Sequence, residues 1–185
     1  MPFWPSSKKK NAQDYGIPQN RKRLYVIGFK TPHENFMFPE KQPLKKKASD
    51  FYDKEMPRAR FFLGKKGFEF VTNPKYRSRA RVNSEVIRTE KANQQFNWNG
   101  DFVFVPKEKL IGKNDILERA YIGTWKGKEG AIRQLTHREC FRLMGFDESF
   151  KIVVPNVWAY RQAGNSIVVN VLVEIMKQIL LVEKL

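Results

Sequence analysis

From Ile167 to Val182 the chain is almost wholly aliphatic, and this segment narrows the folds open to it. Its polar positions Asn170, Glu174 and Lys177 fall at i, i+4 and i+7, one narrow stripe on a helix. The remaining surface is Ile, Val, Leu and Met, so such a helix must be buried on most sides. The one convincing strand is Leu24-Tyr25-Val26-Ile27-Gly28-Phe29. It is β-branched and aromatic and apolar on both faces, as in a central strand covered on two sides. That strand cannot cover the helix alone, and it needs neighbours of its own.

Two helix starts precede and open this region. Thr136 and Glu139 have the T-x-x-E spacing of a capping box, in which each side chain satisfies the other residue's backbone N–H. Cys140, Phe141, Leu143 and Met144 follow as an apolar face, and Gly145 is a fitting stop. Gly164-Asn165-Ser166 then breaks the chain and is expected to open the aliphatic helix. Free N–H groups and a partial positive charge make a helix start a good place to hold a polar or anionic ligand.

The formal charge of +16 and pI near 10.0 call for an anionic partner, most simply nucleic acid. The charge is concentrated: residues 40–81 hold thirteen Lys/Arg against five Asp/Glu, half of the total excess. Phe51, Tyr52, Phe61, Phe62, Phe68, Phe70 and Tyr76 lie among these charges, a mixture suited to phosphate contact and base packing, or to a small core under a charged surface. A single cysteine excludes an internal disulfide and any multi-cysteine zinc site, and His33 and His137 match no metal-ligand spacing. The start MPFWPSSKKK is not a secretory signal, and Asn170, Glu174, Lys177 and Gln178 make the last helix too polar to span a bilayer. A cytoplasmic protein with no membrane partner is expected.

Residues 1–13 show no periodic apolar pattern, with Lys8, Lys9 and Lys10 read as solvated. Gly16-Ile17-Pro18-Gln19 reads as a turn before the strand. Pro32, Pro39, Pro43, Pro57, Pro74 and Pro106 then break up any long element. Strand-like pieces stand at Phe68–Thr72 and Phe102–Val105, and Asn97–Asp101 reads as a hairpin turn. The chain divides into residues 1–30, an irregular β-rich 31–130, and helices over 131–185.

Three blocks carry a resemblance: Asp14–Arg23 leading into the strand, Arg133–Phe146, and Gln162–Ser166. In this order and spacing they resemble the last three conserved blocks of the DNA cytosine-5 methyltransferases. The basic insert sits where that family keeps its target-recognition domain. The resemblance implies an α+β fold, an incomplete α/β: the C-terminal remainder of a Rossmann-like methyltransferase domain plus a small irregular β-rich recognition domain. The family's glycine-containing cofactor loop, its Pro-Cys nucleophile and its Glu-Asn-Val segment do not occur here. The chain is therefore expected to be the C-terminal portion, inactive without an N-terminal subunit.

The resemblance also assigns roles. Arg23 would reach the O2 edge of a flipped cytosine, a task that suits a planar guanidinium. Arg21 and Gln19 would support the catalytic loop and nearby phosphate. Asn165 and Ser166 would touch S-adenosylmethionine, although as residues alone they also suit an N-cap. Arg138 and Glu139 would brace the recognition domain. Cys140 reads as a buried structural thiol, inert because burial raises its pKa. Thr124, Trp125, Lys126 and Lys128 lie where the family's loops enter the major groove. Arg77, Arg79 and Arg81 alternate and so could share one strand face towards double-stranded DNA. A non-catalytic remnant and a stand-alone DNA-binding module remain open as alternatives.

Overall fold

The computed structural model describes residues 4–30, 36–93 and 96–182, so His33 lies outside it. Strand β1 (Trp4–Asn11) leads through a 3-10 turn, Gly16 and the two-residue strand β2 (Gln19–Asn20) into β3 (Lys22–Phe29). β3 pairs back antiparallel on β1, from Phe29 opposite Trp4 to Lys22 opposite Asn11. The three lysines hide β1 in the sequence, yet only Lys8 and Lys9 are exposed. Lys10 is buried, donates to the Pro39 carbonyl and lies 5.5 Å from the ring centroids of Tyr15 and Phe38. The two-sided burial expected for β3 is met on one face only. Tyr25 and Ile27 pack with Tyr15, Ile17 and Met144, while Leu24 and Val26 are 59% and 55% exposed.

The middle region begins with irregular chain and 3-10 turns at Ala48–Phe51 and Ala59–Phe61. Helix α1 (Lys65–Thr72) corrects the strand expected at Phe68–Thr72. The aromatic, β-branched composition suggested a strand, but the burial is helical: Gly67, Phe68 and Val71 face inward and Lys65, Lys66 and Glu69 outward. Strands β4 (Ala80–Val82), β5 (Ile87–Arg88) and β6 (Gly100–Pro106) follow. β6 contains the expected Phe102–Val105, but residues 97–101 are not a hairpin turn. A 3-10 turn at Phe96–Trp98 precedes β6, which runs parallel to β4, while β5 pairs parallel with β2.

Helix α2 (Asn114–Arg119), β7 (Gly123–Trp125) and β8 (Lys128–Gln134) complete this region. The four-stranded sheet runs β4-β6-β8-β7. Lys126 and Gly127 join β7 to β8 with φ of 50° and 77°, the signature of a type I′ hairpin turn. Phe68, Val71, Phe102, Phe104 and Ile132 pack between α1 and the sheet. β8 crosses residue 130 and runs directly towards the C-terminal helices.

Helix α3 (His137–Arg142) has the expected capping box: Thr136 Oγ1 accepts from the Glu139 N–H at 3.1 Å and the Glu139 carboxylate from the Thr136 N–H at 2.8 Å. Gly145 ends it at φ 86°. Helix α4 (Asn156–Asn165) has no counterpart in the sequence reading. Its inward face is Ala159, Tyr160, Ala163 and Gly164, too small and polar to read as a core stripe. Gly164-Asn165-Ser166 therefore closes α4 rather than opening the final helix. Ser166 caps α4, donating its N–H to Gln162 and Ala163 carbonyls.

The final helix α5 (Val169–Val182) buries Val171, Ile175 and Val182, and leaves Val173, Met176, Leu180 and Leu181 about half exposed. Residues 156–182 are together long and apolar enough to cross a membrane. The break at Ser166 divides them into ten and fourteen residues, each short of the ~20 a crossing needs.

Candidate functional site

The three motif blocks, far apart in sequence, meet in one buried cluster. β2 alternates, so Gln19 and Arg21 turn inward while Asn20 turns out. Gln19 is fully buried. Its Nε2 donates to the Leu143 carbonyl at 2.8 Å and to Met144 Sδ at 3.3 Å, and its Oε1 accepts from the Glu90 N–H at 3.1 Å. Arg21 donates to three carbonyls: Glu90 at 2.7 Å, Gly164 at 2.9 Å and Ser166 at 2.8 Å. Burial lowers its pKa and nearby Arg23 adds to this, yet a guanidinium stays charged in such a setting. Arg23 is exposed, and among the described residues it donates only to its neighbour Lys22's carbonyl, leaving most of its fork open to solvent.

Segment 87–92 is the member of this cluster that the sequence reading missed. β5 holds it beside β2, and the Glu90 peptide links Gln19 to Arg21. A Cβ on Gly164 would lie 2.2 Å from the Lys91 carbonyl carbon, so only glycine allows α4 to approach this closely. Glu90 itself is buried beside Cys140, and burial pushes its carboxyl up to about 8 against the smaller pull of Cys140 and Arg21. No local pattern marks a lone Glu in R-T-E-K as internal; only its contacts do.

A second buried node lies around Glu139. Its carboxylate accepts two bonds from Arg133 at 2.8 Å, one from the Thr136 N–H and one from the Asp53 N–H. Thr136 Oγ1 donates to Asp53, and Arg142 also reaches Asp53 at 2.7 Å. Glu139 thereby ties the irregular loop at residue 53 to α3. Arg138 instead donates to the Phe150 carbonyl, bracing the turn after its own helix. Cys140 is buried, and burial, with Glu90 beside it, raises its thiol well above the usual range. A thiol so placed cannot serve as a nucleophile.

The basic residues divide between two hollows. Arg77 and Arg79 precede β4 in a turn and only Arg81 lies on the strand, so the three do not share a strand face. Arg77 and Arg81 line a hollow of about 390 Å³ with Trp125, Lys126, Thr72 and Asn73, and no acidic side chain borders it. Lys126 lies 4.8 Å over the Trp125 ring, and Trp125 packs on Phe104. Arg79 lies in a neighbouring hollow that reaches Asn20, stacked on Phe70 and bonded to Asn99. Thr124 and Lys128 flank the hairpin tip, both exposed. Arg77, Arg81 and Lys126 thus gather positive charge in one hollow beside the hairpin tip.

Asn165 ends α4 with its side chain exposed, and among the described residues nothing is hydrogen-bonded to that side chain. Ser166 is committed: its hydroxyl donates to the Ala163 carbonyl and its own carbonyl accepts from Arg21. Asn165 alone of the pair thus has an amide free for a ligand.

A family model for C-5 cytosine-specific DNA methylase matches residues 6–181. The chain is 34% identical over 173 residues to the type II methyltransferase M2.ScrFI of Lactococcus lactis subsp. cremoris, covering 91% of this chain and 43% of that protein. It is 31% identical over 188 residues to the type II methyltransferase M.HpaII of Haemophilus parainfluenzae, covering 96% and 51%. The chain thus spans about half the length of the curated relatives it matches. Its fold is similar to the Entamoeba histolytica methyltransferase EhMeth (TM-score 0.69, 16% identity, 95% of this chain and 53% of that one). It is also similar to the S. pombe Dnmt2 methyltransferase (TM-score 0.66, 18% identity, 97% and 58%).

Proposed function

The chain belongs to the C-5 cytosine-specific DNA methylase family, and from that premise we propose that it is the DNA-recognition portion of a DNA cytosine-5 methyltransferase. In this reading it takes part in methyl transfer to a flipped cytosine only when complemented by an N-terminal chain that carries the nucleophilic thiol. The observation that carries the reading is the buried cluster in which Gln19 and Arg21 hold the α3 and α4 ends together.

Methylation at cytosine C5 needs a thiolate to add at C6, which makes C5 nucleophilic; proton loss from C5 and expulsion of the thiolate then restore the ring. When bound, S-adenosylmethionine supplies the electrophilic methyl group. On this chain, Arg23 donates its open guanidinium fork to O2 of the flipped base. Arg21 and Gln19 position the segment that presents Arg23, and do not touch the base. Asn165 offers its free amide to the cofactor, with Ser166 and Arg21 fixing the α4 end behind it. The region 31–130 acts as the target-recognition domain, laying the Thr124–Lys128 hairpin, Arg77, Arg79 and Arg81 against double-stranded DNA. The setting is cytoplasmic, at the nucleoid, in restriction–modification, without a membrane role.

The half-exposed apolar faces of β3 and α5 support a covering partner. Mixing this chain with a chain bearing the family's Pro-Cys and Glu-Asn-Val blocks should give a stable complex by sedimentation. If the two never associate, the complementation reading is wrong. A second reading, a stand-alone DNA-binding module, is favoured by the acid-free hollow at Arg77, Arg81 and Lys126. It predicts that Arg77→Ala and Lys126→Ala each lower the salt slope of DNA binding by roughly one, with cofactor making no difference to affinity. A cofactor-dependent affinity in the presence of the partner chain rejects it.

A further inference from the structure

Segment 87–92 joins the middle region to the motif cluster. β5 pairs with β2, the Glu90 peptide binds Gln19 and Arg21, and the Lys91–Ala92 peptide lies against Gly164. The Glu90 side chain is 1% exposed; its carboxyl faces the Cys140 thiol, and among the described residues neither oxygen accepts an N–H or O–H bond. Arg21 donates to three main-chain carbonyls and to neither of these oxygens, and its Nε is left without an acceptor. An ionised carboxylate buried near a guanidinium is expected to pair with it, because an unpaired buried charge is costly. A neutral carboxyl has no such need.

The groups facing Glu90 come from every element around it. Arg21 comes from the β2–β3 link, Cys140 and Glu139 from α3, Asp101 from β6 and Tyr160 from α4. The Cys140 thiol and, less strongly, Arg21 favour ionisation. Asp101 and Glu139 oppose it, and Glu139 is already paired with Arg133.

We propose that Glu90 is a positioning residue: with its carboxyl protonated it locks the middle region onto Gln19, Arg21 and the end of α4, and ionising it releases that lock. Burial is the larger influence, holding the carboxyl up to about 8. The folded-state value lies above the ordinary one, so the folded chain keeps a proton that the unfolded chain loses. The stabilisation is complete below the unfolded-state value and is lost as pH rises through about 8.

Denaturant unfolding of the full chain, wild type against Glu90→Gln, tests this from pH 5 to 9. The ratio of their folding constants should change about tenfold per pH unit up to roughly 8 and then level off. A ratio independent of pH overturns the proposal. Should Glu90→Gln not fold, the 13C shift of the Glu90 carboxyl in the labelled wild-type chain decides it: a midpoint near 8 supports the proposal and one below about 6 overturns it. Amide exchange at residues 90 and 164–166 reports positioning. Up to about pH 8 protection there should fall about tenfold per pH unit and then level off, after correction for the intrinsic base-catalysed rate. Unchanged protection overturns the positioning role. These readouts need neither DNA nor cofactor, so they fail or succeed apart from the methyltransferase reading.

Discussion

Arg21 and Arg23 stand two positions apart and have opposite surroundings. Arg21 is buried on three carbonyls, and Arg23 is exposed with one local bond. Arg21→Ala should therefore destabilise the chain by about 3 kcal/mol or more, because buried carbonyls lose charged donors and regain no water. Arg23→Ala should change thermal stability by less than roughly 0.5 kcal/mol, as exposed substitutions do. In the complemented enzyme it should nonetheless abolish most methyl transfer. Paired melting curves and methyl-transfer rates separate the two; equal stability losses would contradict these assignments. The Q-x-R-x-R spacing was legible as a motif, but not which arginine turns inward. Alternation along β2 decides that, and it is visible only once β2 is seen to pair with β5.

Among the elements, what local chemistry specifies was legible and what distant pairing specifies was not. The Thr136–Glu139 capping box and the Gly145 stop depend on residues three to nine apart, and both stand as read. β1 exists because β3 pairs with it along eight positions, and its lysine run gives no apolar period to find. α1 was misread because Phe and Val suit strands by composition, whereas burial at Phe68 and Val71 follows the helical spacing. α4 escaped notice because its inward face is made of small residues chosen for close approach. Gly164→Ala tests that approach directly. A Cβ there meets backbone at Lys91, which cannot rotate away, so the substitution should cost about 1–3 kcal/mol. It should also raise amide exchange in segment 87–92 beyond that in the rest of the sheet. A neutral or stabilising Gly164→Ala would mean that α4 and this segment are not in contact.

For the whole molecule, the sequence posed a question of coverage: an aliphatic helix and a strand apolar on both faces, with too little chain to bury them. α5 and β3 cover each other on one side, and each keeps an apolar face in solvent. Half of the net positive charge lies in residues 40–81, while Lys9 and Lys22 border the exposed Leu24 on the β1–β3 pair. In the function proposed above, the α3, α4 and β2 cluster is one edge of a methyl-transfer site completed by another chain. The most direct measurement is transfer of labelled methyl from S-adenosylmethionine to C5 of cytosine in double-stranded DNA, by this chain, by the partner chain and by the two mixed. Transfer is expected only in the mixture, and is expected to be lost when Arg23→Ala replaces the wild type. Transfer by this chain alone, or none from a mixture in which the two chains associate and bind DNA, would contradict the proposed function.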